Sequence, residues 1–115
     1  MKSPITTHIL DTARGRPAEG VAVALEMLNP MAGWEARGQG ITDADGRVSD
    51  LLPAVSALER GTYRLTFDTG TYFLKLGTPS FYPYVSIVFE IKTPDEHYHV
   101  PLLLNPFGYT TYRGS

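Results

Sequence analysis

The chain has 115 residues, no cysteine, and 10 Lys+Arg against 12 Asp+Glu, for a formal net charge of −2. That length suits one domain, residues 1–115, able to bury roughly 60–68% of its unfolded surface. Zero cysteine excludes a disulfide scaffold, a thiol nucleophile, an iron–sulfur cluster and cysteine-ligated zinc. The charge balance argues against a nucleic-acid partner, and no run approaches the ~18 apolar residues of a membrane span.

Eleven Gly and nine Pro, 20 of 115 residues, lie scattered as punctuation between short aromatic and β-branched runs. That pattern predicts an all-β sandwich or barrel. Residues 5–11 form a first short Thr/Ile-rich strand, closed by a turn over Ala13-Arg14-Gly15-Arg16-Pro17. Residues 21–28 alternate Val21, Val23, Leu25 and Met27 against Ala22, Ala24 and Glu26, a strand period of two. Residues 34–42 are a weaker strand, interrupted by Gly38 and Gly40. Asp43-Ala44-Asp45-Gly46 is a turn, and Arg47-Val48-Ser49 a very short extended piece. Residues 62–68 alternate Tyr63, Leu65 and Phe67 against Arg64 and Thr66. Tyr72, Phe73 and Leu76 then lie three to four apart, which predicts one or two helical turns stopped by Gly77 and Pro79. Strands are expected at 84–91, 97–104 and 109–115, the last pair joined by a turn at Asn105-Pro106-Phe107-Gly108. The total is about eight short strands and one short helix, as in a two-sheet sandwich.

The three histidines stand out by placement. His97 and His99 are two apart on a strand and share a face with Pro101 and Leu103, while Tyr98, Val100, Leu102 and Leu104 make the opposite, core-like face. His8 lies opposite Ile5, Thr7 and Ile9, in company with Thr6 and Leu10, and so points outward if the isoleucines point inward. Outer-face histidines are compatible with plain surface positions, with a three-histidine zinc set of His8, His97 and His99, or with acid–base chemistry near neutral pH. Asp43, Asp45 and Gly46 are too few for a calcium loop, and no nucleophile elbow, phosphate loop or His-Glu-x-x-His is present. The final Tyr112-Arg113-Gly114-Ser115 is unusual for a chain end, combining an aromatic, a cation and a hydroxyl after a turn-anchored strand.

Five stretches carry a resemblance: His8-Ile9-Leu10-Asp11-Thr12 with Gly15-Arg16-Pro17-Ala18; Thr42-Asp43-Ala44-Asp45-Gly46-Arg47; His97-Tyr98-His99-Val100-Pro101-Leu102-Leu103-Leu104; and Tyr112-Arg113-Gly114-Ser115. Together they resemble the 5-hydroxyisourate hydrolases of the transthyretin-like family over essentially the whole chain. The resemblance implies a transthyretin-like eight-stranded two-sheet sandwich with one short helix. It also implies a homotetramer, a dimer of dimers, with active sites in the channel between dimers. The implied reaction is hydrolysis of 5-hydroxyisourate, in urate degradation, to 2-oxo-4-hydroxy-4-carboxy-5-ureidoimidazoline. The residues carried over are His8, Arg47 and His99 as catalytic groups, with Tyr112, Ser115 and Arg47 binding substrate. Both histidines and the tail match, which favours an enzyme over a hormone carrier.

The chemistry suits those residue types. Attack of water, an oxyanion and a departing nitrogen require proton transfers that two histidines can divide, and a planar donor fork that arginine supplies. No covalent intermediate, cofactor or metal is expected. His97 is expected at the pocket edge or in a structural role, and Pro101 should disturb strand pairing because it lacks an N–H. The competing readings are a binding module whose channel holds a small aromatic ligand without turnover, and a zinc hydrolase. The absence of an apolar leader or a Ser-Lys-Leu terminus points to the cytoplasm.

Overall fold

Period-two alternation decides which side of each strand is buried. The computed structural model describes residues 3–53 and 57–115. Its elements in chain order are β1 (Ile5–Asp11), β2 (Arg16–Pro17), β3 (Ala22–Asn29), β4 (Gly33–Ile41), β5 (Arg47–Val48), β6 (Gly61–Phe67), α1 (Thr69–Lys75), β7 (Val85–Ile91), β8 (Tyr98–Asn105) and β9 (Gly108–Thr111). Ile5 and Ile9 of β1, Val23 and Leu25 of β3, Tyr63, Leu65 and Phe67 of β6, and Tyr98, Val100, Leu102 and Leu104 of β8 are all buried in one core between two sheets. Each such side chain contributes about 1.5–3 kcal/mol through removal from water.

One sheet runs β4-β3-β6-β7, antiparallel throughout; the other runs β2-β1-β8-β9, with β5 also on β1. β1 and β8 are parallel, in continuous register from Ile5↔Tyr98 to Asp11↔Leu104. The other edge of β1 is shared: β5 pairs with Thr7 and His8, and β2 with Leu10 and Asp11. Residues far apart in sequence therefore meet on the outer face of this sheet.

The helix sits where expected. Asp68 caps its start by accepting from the Thr71 N–H, while Tyr72 and Phe73 face the core. The Tyr72 hydroxyl donates to Asp11 Oδ2 at 2.7 Å, and Asp11 Oδ1 accepts from the backbone N–H groups of Ala13 and Arg14. A buried carboxylate is tolerated only when its lone pairs are satisfied, as they are here.

The structure departs from the sequence expectations in detail. Among the described residues there are nine strands, because the segment read as a turn after β1 folds back as β2, pairing Asp11 with Arg16. β4 runs unbroken through Gly38 and Gly40, with a register shift opposite Leu25/Glu26. Gly38 serves packing, since a Cβ there would collide with the Leu51 carbonyl. The last strand ends at Thr111, well short of residue 115, and its tail rejoins the sheet through one bridge, Gly114 to His99.

Pro101 accounts for that gap. Its pairing with β1 keeps register, but the ladder with β9 stops at Leu102↔Thr111. The Pro101 carbonyl is taken by the Thr111 hydroxyl at 2.8 Å, and regular bonding resumes only at Gly114 N–H to His99 O, 2.8 Å. Among the described residues no helix is long and apolar enough to cross a membrane.

Candidate active site

The outer face of the five-stranded sheet is assembled by register. Even-numbered residues of β1 and odd-numbered residues of β8 point to this face, so the pairs Thr6↔His99, His8↔Pro101 and Leu10↔Leu103 lie side by side. β5 adds Arg47 directly beside His8. The turn before it is fixed by the Asp43 carboxylate, which accepts from the N–H groups of Asp45 and Arg47 at 2.9 and 3.0 Å. An Asx turn of this kind is a local property of the Asp43–Gly46 sequence.

These residues line one cleft of about 280 Å³: His8, Leu10, Arg47, His99, Pro101, Leu103, Tyr112, Gly114 and Ser115. All five residues singled out from sequence, His8, Arg47, His99, Tyr112 and Ser115, are brought together there. Leu10, Pro101 and Leu103 form the apolar part of its wall. An adjoining recess of about 200 Å³ shares Arg47, His99 and Ser115 and adds Thr6 and His97. A larger groove of about 810 Å³ on the other sheet, lined by Ala22, Ala24, Gln39, Ile41 and Tyr84 among others, has Asp68 as the one carboxylate and no histidine among its described lining residues. Size alone does not locate the chemistry.

The tail is held by alternation. Tyr112 and Gly114 face the cleft, while Arg113 turns the other way. Its guanidinium lies 4.3 Å from the Tyr98 ring centroid and pairs with Glu96 at 3.1 Å. At Gly114 the tail crosses His99 so closely that a Cβ would stand 2.7 Å from His99 Cδ2 and 3.1 Å from Pro101 Cγ.

Electrostatics favour a neutral His8. Partial burial lowers its pKa below the ordinary 6.5, and the Arg47 charge lowers it further; a hydrogen bond to the Asp45 backbone and the Asp43 and Asp45 carboxylates oppose the shift. Desolvation penalises the imidazolium, so the free-base form dominates at neutral pH. His99 is oriented by Thr6, whose hydroxyl lies 2.8 Å from His99 Nδ1 and 3.0 Å from His97 Nε2.

Thr6 was missed as a site residue by sequence reasoning. Period two places it on the face of His8, but the parallel register that sets it opposite His99 has no local sequence signal. His97, expected as the first residue of the strand, lies just before β8 and lines the adjoining recess. His8, His97 and His99 are not assembled as a metal-binding trio among the described residues, since the rings of His97 and His99 both turn onto Thr6.

Comparison with known proteins places this geometry. The profile of the HIUase/Transthyretin family matches residues 5–114. The mouse 5-hydroxyisourate hydrolase is 49% identical over 114 residues, covering 98% of this chain and 96% of that protein. The structure of Klebsiella pneumoniae 5-hydroxyisourate hydrolase superposes with a TM-score of 0.84 at 38% identity, covering 96% of this chain and 98% of that one. Sea bream transthyretin in complex with thyroxine superposes with a TM-score of 0.89 at 34% identity, covering 96% and 94%. Relatives differ in length: this chain spans only 38% of the Arabidopsis uric acid degradation bifunctional protein, at 47% identity. A hydrolase and a thyroxine-bound protein thus share this backbone, and side chains must distinguish them. Fold, sequence match and site geometry agree: the chain belongs to the HIUase/Transthyretin family.

Proposed function

We propose that the protein hydrolyses 5-hydroxyisourate, a step of urate degradation, with His8, Arg47 and His99 as its catalytic groups. The observation that carries this reading is the convergence of those three side chains with Tyr112 and Ser115 on one cleft. They come from β1, β5, β8 and the tail, and folding alone gathers them. The relatives named for this hydrolase match nearly the whole chain.

The substrate is small and planar and fits between the apolar wall of Leu10, Pro101 and Leu103 and the polar groups opposite. Water attacks the activated acyl carbon and gives a proton to a histidine. Neutral His8 is suited to accept it, because its lowered pKa keeps the base form available at neutral pH. Arg47 offers its donor fork to the carbonyl oxygen as negative charge develops. The oxyanion then collapses, the C–N bond breaks, and the departing nitrogen takes a proton from a histidine. His99, on the opposite strand, divides that proton work with His8. Tyr112 and Ser115 bind substrate and close the cleft.

The site lies on an exposed sheet face and is open on one side, which supports assembly into a homotetramer that covers it. Among the described residues β7 and β9 each end their sheet, and such edges are compatible with pairing to second copies.

The test is steady-state hydrolysis by His8→Ala and His99→Ala. Each should lose about 10²- to 10⁴-fold in kcat/KM, the usual contribution of a general acid–base group. A variant of either kind that kept the full rate would overturn the assignment. Wild-type activity should survive exhaustive chelation; its loss would favour the zinc reading instead.

A further inference from the structure

The Thr6 hydroxyl has one proton and two imidazole neighbours. It lies 2.8 Å from His99 Nδ1 and 3.0 Å from His97 Nε2, and the residue is buried. An oxygen with one proton can donate to only one of these nitrogens and must accept an N–H from the other. Two arrangements keep both bonds. In the first, Thr6 accepts from His97 Nε2–H and donates to His99 Nδ1, so a neutral His99 carries its proton on Nε2. In the second, His99 Nδ1–H donates to Thr6, and Thr6 donates to His97 Nε2. A neutral His99 then has a basic Nε2.

We propose that Thr6 is a positioning residue that couples the tautomer of His99 to that of His97, so that the outer histidine sets whether the inner one offers a base or an acid to the cleft. The inference rests on the hydrolase reading for its consequence in catalysis, and on geometry alone for the coupling. His99 Nδ1 is turned onto Thr6, and Cδ2, adjacent to Nε2, faces Gly114 of the tail. His99 lines both the cleft and the adjoining recess, whereas His97 lines only the recess and is exposed.

When His99 Nε2 takes up a proton from the cleft, the imidazolium donates through Nδ1–H to Thr6, and Thr6 donates to neutral His97. When His99 passes the Nδ1 proton to the Thr6 oxygen, Thr6 passes its own to His97 Nε2, and His97 can release one to solvent. One N–H bond breaks at His99 and one forms at His97, the Thr6 O–H proton is exchanged, and the positive charge passes from His99 to His97 until the proton leaves to solvent. Thr6 is suited to this because a β-branched side chain on a central strand has few χ1 choices. The charged groups around the pair are Arg47, which shares the recess, and Arg113, whose guanidinium is 3.5 Å from the His97 carbonyl and 3.1 Å from Glu96.

The test uses the intact protein with Thr6→Val, Thr6→Ser and His97→Ala. The direct readout is the ¹⁵N chemical shift of the His99 ring nitrogens, which reports the tautomer without substrate. Thr6→Val removes the hydroxyl and keeps the branched shape, so the His99 tautomer ratio should change, and His97→Ala should change it too. Thr6→Ser should restore the wild-type ratio. In hydrolysis, Thr6→Val should lose about 10- to 100-fold in kcat with KM little altered, the scale of a misaligned catalytic group. His97→Ala should move the pH profile of kcat. Unchanged ¹⁵N shifts in both Thr6→Val and His97→Ala would overturn the coupling. A wild type that shows the coupled tautomers but no turnover would overturn the hydrolase reading and leave the relay standing. If Thr6→Val failed to fold, Thr6→Ser and His97→Ala would still decide the matter by the same spectra.

Discussion

Replacing Gly114 by alanine adds one carbon at the closest approach between the tail and β8. That carbon would stand 2.7 Å from His99 Cδ2, 0.7 Å inside the 3.4 Å at which ordinary contact begins, and 3.1 and 3.3 Å from Pro101 Cγ and Cδ. Pro101 is buried in a paired strand and cannot move aside. His99 can move only by stretching its 2.8 Å bond to Thr6, and the tail only by losing the 2.8 Å bond from Gly114 N–H to the His99 carbonyl. Gly114 does not have a positive φ, so contact rather than backbone strain carries the effect. A displacement near 1 Å at a catalytic group costs about 10²-fold in rate. We expect Gly114→Ala to lower kcat/KM for 5-hydroxyisourate by about 10- to 100-fold. The change lies at the edge of the fold, outside the core, so the melting temperature should move little. The assay is the ultraviolet decay of 5-hydroxyisourate alongside a thermal melt. Wild-type turnover by a folded Gly114→Ala protein would refute the claim that the tail positions His99.

Arg47→Lys keeps the charge beside His8 but loses the planar fork, and should lower kcat/KM by about 10²-fold, as loss of an oxyanion donor does; wild-type kinetics would contradict the role. His8 has a folded pKa below 6.5, so the unfolded chain binds its proton first as pH falls. Its contribution to stability is present above about pH 6.5 and is lost as pH drops through the folded pKa. Melts of wild type and His8→Asn should therefore show a difference that shrinks from pH 7 to pH 5, and a widening difference would contradict the sign. Tyr72→Phe removes the 2.7 Å donor to Asp11, buried on the core side of β1 and opposite the face that carries the cleft. It should cost about 1–3 kcal/mol and lower the melting temperature by roughly 4 °C or more while leaving kcat/KM unchanged.

Much of the fold was legible because strand parity is a strictly local signal. The alternation around Ile5 and Ile9, and around Tyr98, Val100, Leu102 and Leu104, correctly separates core from outer face and puts His8 and His99 on the latter. Pro101 was legible as a pairing defect, though not as one confined to the β9 side. The rest depended on distant partners. β2 exists because Asp11 pairs with Arg16, and β4 runs through its glycines because the segment around Leu51 packs over them. Arg47 meets His8, and Thr6 meets His99, only through registers that no short window of sequence encodes. The five candidate site residues came from motif resemblance, and the structure gathers them on one cleft.

The most direct measurement is turnover of freshly generated 5-hydroxyisourate, followed spectroscopically with wild-type protein, with His99→Ala, and without protein. The expected result is rapid, chelator-resistant decay with wild type and a loss of about 10²-fold or more with His99→Ala. Decay at the uncatalysed rate in the presence of wild-type protein, with substrate bound but not opened, would contradict it.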